Sequence, residues 1–211
     1  MRTDDLIGML ARRAGPAPRG MVPRRLGLAM SLGLLAGIVL ALGGPGFIPA
    51  ATFALPAPWF KLSYAATLAI AAAWLAGRLA RPGGRVAAPA TAAGMVVLGA
   101  IMIGVAAWLL SPGETRLNDM LGHSWRECPF LVLGISLPAL AALLRAMGGL
   151  APTRPRAAGF AAGLLAGALG AGAYALACTE LAISFVAAWY TLGVLSAAVL
   201  GTLLGPRMLR W

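Results

Sequence analysis

Six long stretches of the chain are almost entirely apolar, and short polar segments separate them. They cover residues 26–44, 62–79, 86–110, 129–146, 157–178 and 181–204. A helix needs about 20 apolar residues to cross a bilayer core of about 30 Å. Backbone polar groups in lipid must bond within their own segment, and the alternation of a membrane β-strand is absent. The pattern therefore predicts an all-α polytopic membrane protein with six transmembrane helices.

Composition supports this interpretation and excludes several classes of protein. Of the 211 residues, 60% are hydrophobic and only 11% are charged. A soluble domain is about half apolar and about a quarter charged, and a chain of this length cannot bury such an excess in one core. A free cytosolic enzyme, a nucleic-acid-binding domain and a disulfide-rich secreted scaffold are therefore excluded. The net charge of +11 does not indicate direct nucleic-acid binding, because the cations lie in short runs between the apolar stretches and not on one face of a folded domain.

The positions of the basic residues predict the orientation of the chain. Of the 17 Lys and Arg residues, fourteen lie on one side in this interpretation: before the first stretch, from the end of the second to the start of the third, from the end of the fourth to the start of the fifth, and after the sixth. Basic loops face the cytoplasm, so both termini are expected there. Residues 1–25 then form a cytoplasmic arm, residues 26–206 the six-helix bundle and residues 207–211 a cytoplasmic tail. The first stretch is expected to be retained as a span rather than cleaved as a signal peptide.

A stripe of small residues predicts how the fifth span packs. Gly159, Gly163 and Gly167 recur every four residues, which places them on one helix face. Small residues let helix backbones approach closely in lipid. We expect the stripe to pack within the bundle, and a homodimer face is the alternative.

Catalytic chemistry is not evident in the predicted spans. No ionisable residue is predicted to lie well within them, and the sequence has no His-Glu-x-x-His or Gly-x-Ser-x-Gly motif. These observations argue against an enzyme, a bound cofactor and an ion-coupled transporter. A binding or regulatory protein, a small transporter or pore subunit, and a thiol–disulfide oxidoreductase stay open. A thiol–disulfide oxidoreductase of this kind would need a second cysteine pair to relay electrons, and the sequence has only two cysteines.

The N-terminal arm has the pattern of a short amphipathic helix. Thr3 is suited to cap a helix whose first turn contains two acids, and apolar residues then recur at helical spacing. The acids are Asp4 and Asp5, and the apolar residues are Leu6, Ile7, Met9 and Leu10. A helix this short is unstable alone in water, so it is expected to fold on a partner. The pattern by itself favours the membrane surface over an apolar groove in a cytoplasmic protein.

Both cysteines are predicted at the non-cytoplasmic side and at similar membrane depth. Cys128 precedes the fourth stretch and Cys178 closes the fifth. A thiolate at a helix N-terminus is stabilised, so Cys128 is expected to be the more reactive. The interpretations that stay open are a structural disulfide, two unrelated cysteines, a redox switch, and a soft-metal site with His123 or Glu180 as a further ligand.

Three segments carry a resemblance to a known family. They are Thr3-Asp4-Asp5-Leu6-Ile7 with Leu10-Ala11, then Trp125-Arg126-Glu127-Cys128-Pro129, and Cys178-Thr179-Glu180 with Phe185 and Trp189-Tyr190-Thr191-Leu192-Gly193. In order, spacing and topology the chain resembles the NrsF family over nearly its whole length. Members are six-span proteins of the bacterial inner membrane that act as negative regulators of sigma F, that is, as membrane anti-sigma factors.

The resemblance implies a mechanism for the arm and for the cysteines. The arm would hold an extracytoplasmic-function sigma factor at the membrane, away from RNA polymerase. The resemblance therefore favours binding of the arm in a groove of a cytoplasmic protein over binding to the membrane surface. Its implied contacts are Asp4, Asp5, Leu6, Ile7 and Leu10. Cys128 and Cys178 would sense oxidants or heavy metals on the periplasmic side, as part of a stress response. No cofactor and no direct contact with nucleic acid are implied.

Overall fold

The computed structural model describes residues 3, 5, 7–9, 20–150 and 152–210, and this part of the chain is helical without a β-strand. The helices from residue 21 onward are α1 Met21–Gly43, α2 Pro56–Leu79, α3 Ala87–Leu110, α4 Arg116–Leu121, α5 Cys128–Gly148, α6 Pro155–Tyr174 and α7 Ile183–Met208. A short 3-10 helix, Ala50–Ala54, precedes α2. All of these α-helices except α4 are long and apolar enough to cross a membrane, which confirms the six predicted helices.

The start of α2 differs from the prediction and brings a lysine into the helix. The helix begins at Pro56, six residues before the predicted span. Proline is tolerated in the first turn because its missing N–H needs no partner there. Lys61 is consequently the sixth residue of α2, and it is fully buried. The helix therefore contains an ionisable residue, Lys61, that the predicted bounds of the span left out.

The most buried helix of the bundle is α6, and it contacts α1, α2, α5 and α7. Its sequence is rich in glycine and alanine, which allows four neighbours to approach its backbone. Helix α3 lies at the periphery, against α2 and the first turns of α7. Most of its side chains are exposed, as expected for a helix that faces lipid.

The glycine stripe of α6 packs against α7 of the same chain, as predicted. A Cβ atom on Gly159 would collide with the carbonyl oxygen of Gly201, and a Cβ on Gly201 would collide with that of Gly159. Gly163 meets the backbone of α7 in the same way, and Gly167 is in close approach to α7 as well. Because α7 occupies this stripe, the stripe is not free to form a homodimer face.

Helix α1, which follows the arm, packs along α5, which begins at a cysteine. A Cβ on Gly33 would lie 2.6 Å from the Cα atom of Ala139, so the two backbones are in close approach at this level. At the other end of α5, the Arg25 Nη1 atom donates a hydrogen bond to the Gly149 carbonyl at 2.8 Å. The first turn of α1 is therefore tied to the last turn of α5.

Candidate functional site

The structure places both cysteines at the same end of the bundle, as the sequence predicts. Cys128 is the first residue of α5, and Cys178 follows α6 by four residues. Both are free thiols, and both side chains are buried. The Cys128 amide donates to the Ser124 carbonyl, and the Cys178 amide donates to the Tyr174 carbonyl, each at 2.9 Å. An oxidant can therefore reach either thiol only when the surrounding packing opens.

A carboxylate joins the two segments that contain the cysteines. The Glu180 Oε1 atom accepts hydrogen bonds from the amides of His123 at 2.7 Å and Ser124 at 3.0 Å, and from the Ser124 hydroxyl at 3.1 Å. Gly122 adopts a positive φ of 57°, and a Cβ there would lie 2.7 Å from Glu180 Oε2. Charge-assisted hydrogen bonds are among the strongest in proteins. Glu180 therefore fixes the loop before Cys128 to the loop after Cys178.

The residues predicted as possible metal ligands, Cys128, Cys178 and His123, differ in their exposure to solvent. The His123 side chain is fully exposed, and its Nδ1 atom lies 4.0 Å from Glu180 Oε1, whereas both thiols are buried. Within residues 20–150 and 152–210, no group of three or more His, Cys, Asp or Glu side chains is arranged to hold a metal ion. Cys128 and Cys178 are thus buried at the same end of the bundle, whereas His123 lies at the surface.

Lys61 contacts the backbone at Cys178, although the predicted second span begins one residue after it. Its Nζ atom donates to the Cys178 carbonyl at 2.8 Å and lies 5.8 Å from the centroid of the Tyr190 ring. The Tyr190 ring lies 5.6 Å from that of Tyr174, and its buried hydroxyl has no hydrogen-bond partner within the described residues. Pro56, at the start of α2, is the sequence signal that could have indicated Lys61.

Two of the three segments that carry the family resemblance, the one around Cys128 and the one from Cys178 onward, meet at this end of the bundle. Trp125, just before α5, packs against Trp189 of α7 with ring centroids 5.4 Å apart and the ring planes tilted by 44°. The Trp189 Nε1 atom donates to the Met120 carbonyl at 2.8 Å. Trp189 lies in a π-helical segment of α7, Val186–Tyr190, and such segments are frequent at functional sites.

Part of the arm is described, and that part is helical. Thr3, Asp5 and Ile7 have helical backbone and exposed side chains. The Ile7 side chain is 60% exposed and that of Met9 is 51% exposed, so neither is buried against the bundle. The predicted contacts Asp4, Leu6 and Leu10 lie outside the described residues.

Comparison with known proteins decides the family. The model of the NrsF family, described as negative regulator of sigma F, matches residues 10–211. The chain belongs to the NrsF family. It is 42% identical to a probable anti-sigma-F factor NrsF of Azospira oryzae and 41% identical to an anti-sigma-F factor NrsF of Caulobacter vibrioides, over the full length of each protein. No solved structure matches the chain. Membership confirms the resemblance, and it indicates a regulatory rather than an enzymatic role.

Proposed function

We propose that this chain is a membrane anti-sigma factor that binds a sigma factor of the extracytoplasmic-function type through its N-terminal arm. The full-length similarity to two proteins named as anti-sigma-F factors carries this proposal. The helical backbone and exposed apolar side chains of the described arm residues support it. An amphipathic helix of this kind suits a groove in a soluble partner.

The energetics of such a contact suit reversible control. Burying one apolar side chain of this size contributes roughly 1.5–3 kcal/mol, and the arm offers four. Ordering the arm on binding offsets part of this gain. The resulting affinity is sufficient to hold a sigma factor at the membrane and low enough to allow its release.

The proposed function is tested by measuring whether the chain represses transcription that depends on a sigma factor. Deleting the gene is expected to raise the transcripts that depend on one sigma factor, and restoring the parent gene is expected to lower them again. A transcript profile that does not respond to either change would contradict the proposal. Uptake or release of a solute by vesicles containing the chain would support the transporter alternative instead.

We place the chain in the inner membrane with both termini in the cytoplasm. The cationic segments support this orientation, since they lie before α1, after α2, between α5 and α6, and at the end of α7. Green fluorescent protein fused after the last residue is then expected to fluoresce, because it folds in the cytoplasm. Alkaline phosphatase fused at the same position is expected to be inactive. The reverse pair of results would contradict the orientation.

We further propose that modification of the cysteines by an oxidant or heavy metal changes how the arm is held. A buried thiol that gains atoms overpacks its surroundings, which forces neighbouring helices to shift. Cys128 begins α5, and α5 packs along α1 and bonds to Arg25 at the cytoplasmic end. Displacement of α5 would therefore act directly on the helix that follows the arm.

Replacing both cysteines should uncouple binding from the signal. We expect an oxidant to weaken sigma binding by the parent at least tenfold, and to leave Cys128→Ser/Cys178→Ser unchanged. Serine is close to cysteine in size, so the reduced parent and the variant should bind equally well. The measurement is the affinity of the purified full chain in lipid nanodiscs for the sigma factor. Equal binding by oxidised and reduced parent would overturn cysteine sensing and leave the anti-sigma function standing.

A further inference from the structure

A groove opens between α1 and α2 at the end of the bundle that the charge pattern assigns to the cytoplasm. Both helices pack on the rest of the bundle, and a space of about 460 Å³ is left between them. Apolar side chains line most of it, notably Leu26 and Met30 of α1 and Trp74 of α2. Its mouth carries Arg78, in the last turn of α2, and Arg81, just after that helix.

The two arginines at the mouth are available to an anion. Both side chains are exposed, and neither makes an ion pair with a described Asp or Glu. Trp74 is 45% exposed beside them, and tryptophan is enriched where a membrane meets water. An apolar groove that opens beside two guanidinium groups, neither of them paired with a described carboxylate, matches the two parts of an anionic phospholipid, its acyl chain and its phosphate.

Two glycines make room in the groove. Gly27 of α1 and Gly77 of α2 both line it, and a Cβ atom built on either would meet no atom within 4 Å. Neither glycine is therefore required for helix packing, unlike the glycines of α6. Larger side chains at these positions can fill the groove and leave both arginines in place.

We propose that this groove binds one anionic phospholipid of the cytoplasmic leaflet, with its phosphate on Arg78 and Arg81 and an acyl chain along α1 and α2. The proposal rests on the cytoplasmic placement of this end in the proposed topology, and it is independent of sigma binding. Because α1 follows the arm in the chain, the bound lipid would lie beside the C-terminal end of the arm, the segment proposed to bind the sigma factor.

Two variants test the two halves of the site separately, each with a matched control. Arg78→Gln/Arg81→Gln removes the phosphate contacts, and Arg154→Gln/Arg156→Gln makes the same change of charge at the start of α6. Gly27→Leu/Gly77→Leu fills the groove. Its control, Gly94→Leu/Gly99→Leu, places the same side chains in open space on α3.

The full chain is delipidated in mild detergent, and binding of phosphatidylglycerol and of phosphatidylcholine is followed by native mass spectrometry. We expect the parent to bind one phosphatidylglycerol at least tenfold more tightly than phosphatidylcholine. Each site variant should lose at least tenfold in affinity for phosphatidylglycerol, and each control should stay within threefold of the parent.

Equal binding of the two lipids by the parent would overturn the proposal, and so would equal phosphatidylglycerol binding by all four variants. Size-exclusion chromatography checks that every variant is folded. If one site variant does not fold, the other still decides the outcome against its own control. Sigma capture is measured separately, so failure of the lipid site and failure of the anti-sigma function are distinguishable.

Discussion

Leu6→Asp/Leu10→Asp is expected to weaken binding of the sigma factor at least 100-fold. Each leucine contributes roughly 1.5–3 kcal/mol when buried in an apolar groove, and each 1.4 kcal/mol corresponds to about tenfold in affinity. The aspartates also place carboxylates where apolar contacts are required, and burial of an unpaired charge adds a further cost. The measurement is the dissociation constant of the full chain in lipid nanodiscs for the purified sigma factor.

The matched control for this variant is Gly8→Asp/Arg12→Gln, which changes the net charge by the same amount. In a helix with 3.6 residues per turn, positions 8 and 12 lie opposite the face that contains positions 6 and 10. The control should bind within about threefold of the parent if the apolar face makes the contact. Equal losses in both variants would show that charge alone governs binding, and unchanged binding by the leucine variant would remove the arm from the interface.

Gly201→Val is expected to prevent stable packing of α6 against α7. Its new Cβ would collide with the carbonyl of Gly159 and press on the backbone of Gly163. Backbone cannot rotate away as a flexible side chain can, so the helices must separate and lose their contacts. Overpacking of a close-packed core typically costs about 1–3 kcal/mol, and a collision with backbone is expected at the upper end of that range. We expect little folded protein after purification, and a lowered thermal midpoint for any that remains.

Gly99→Val in α3 is the matched control, because a Cβ on Gly99 meets no atom within 4 Å. Both substitutions change glycine to valine in the interior of a helix, so the intrinsic helix propensities cancel. The comparison therefore isolates packing against α7. If thermal unfolding showed the two variants to be equally stable, the close approach of α6 and α7 would be contradicted.

The hydrophobic pattern predicted the six helices well because the backbone in lipid has no alternative to internal hydrogen bonds. The same pattern misplaced the start of α2. Pro56, Pro58 and Lys61 look like a loop when only apolar residues are counted, although prolines are well suited to the first turn of a helix. Because the predicted span began at residue 62, it excluded Lys61, the lysine that contacts the Cys178 carbonyl.

The predicted order and orientation of the six spans placed both cysteines at the same end of the bundle. The contacts around the cysteines could not be predicted in this way. The hydrogen bonds of Glu180 to His123 and Ser124 join positions more than 50 residues apart, and no local pattern specifies them. The contact of Lys61 with Tyr190 likewise depends on how α2 packs beside the π-helical segment of α7. Such contacts arise from tertiary packing, which the spacing of apolar residues does not determine.

The central claim is that this chain holds a sigma factor at the membrane. Its most direct test is affinity purification of the tagged full chain from its native membrane, with the bound proteins identified by mass spectrometry. We expect a sigma factor to be retained with the parent and to be absent when the arm variant Leu6→Asp/Leu10→Asp is used. A parent sample free of any sigma factor, from cells shown to contain one, would contradict this claim.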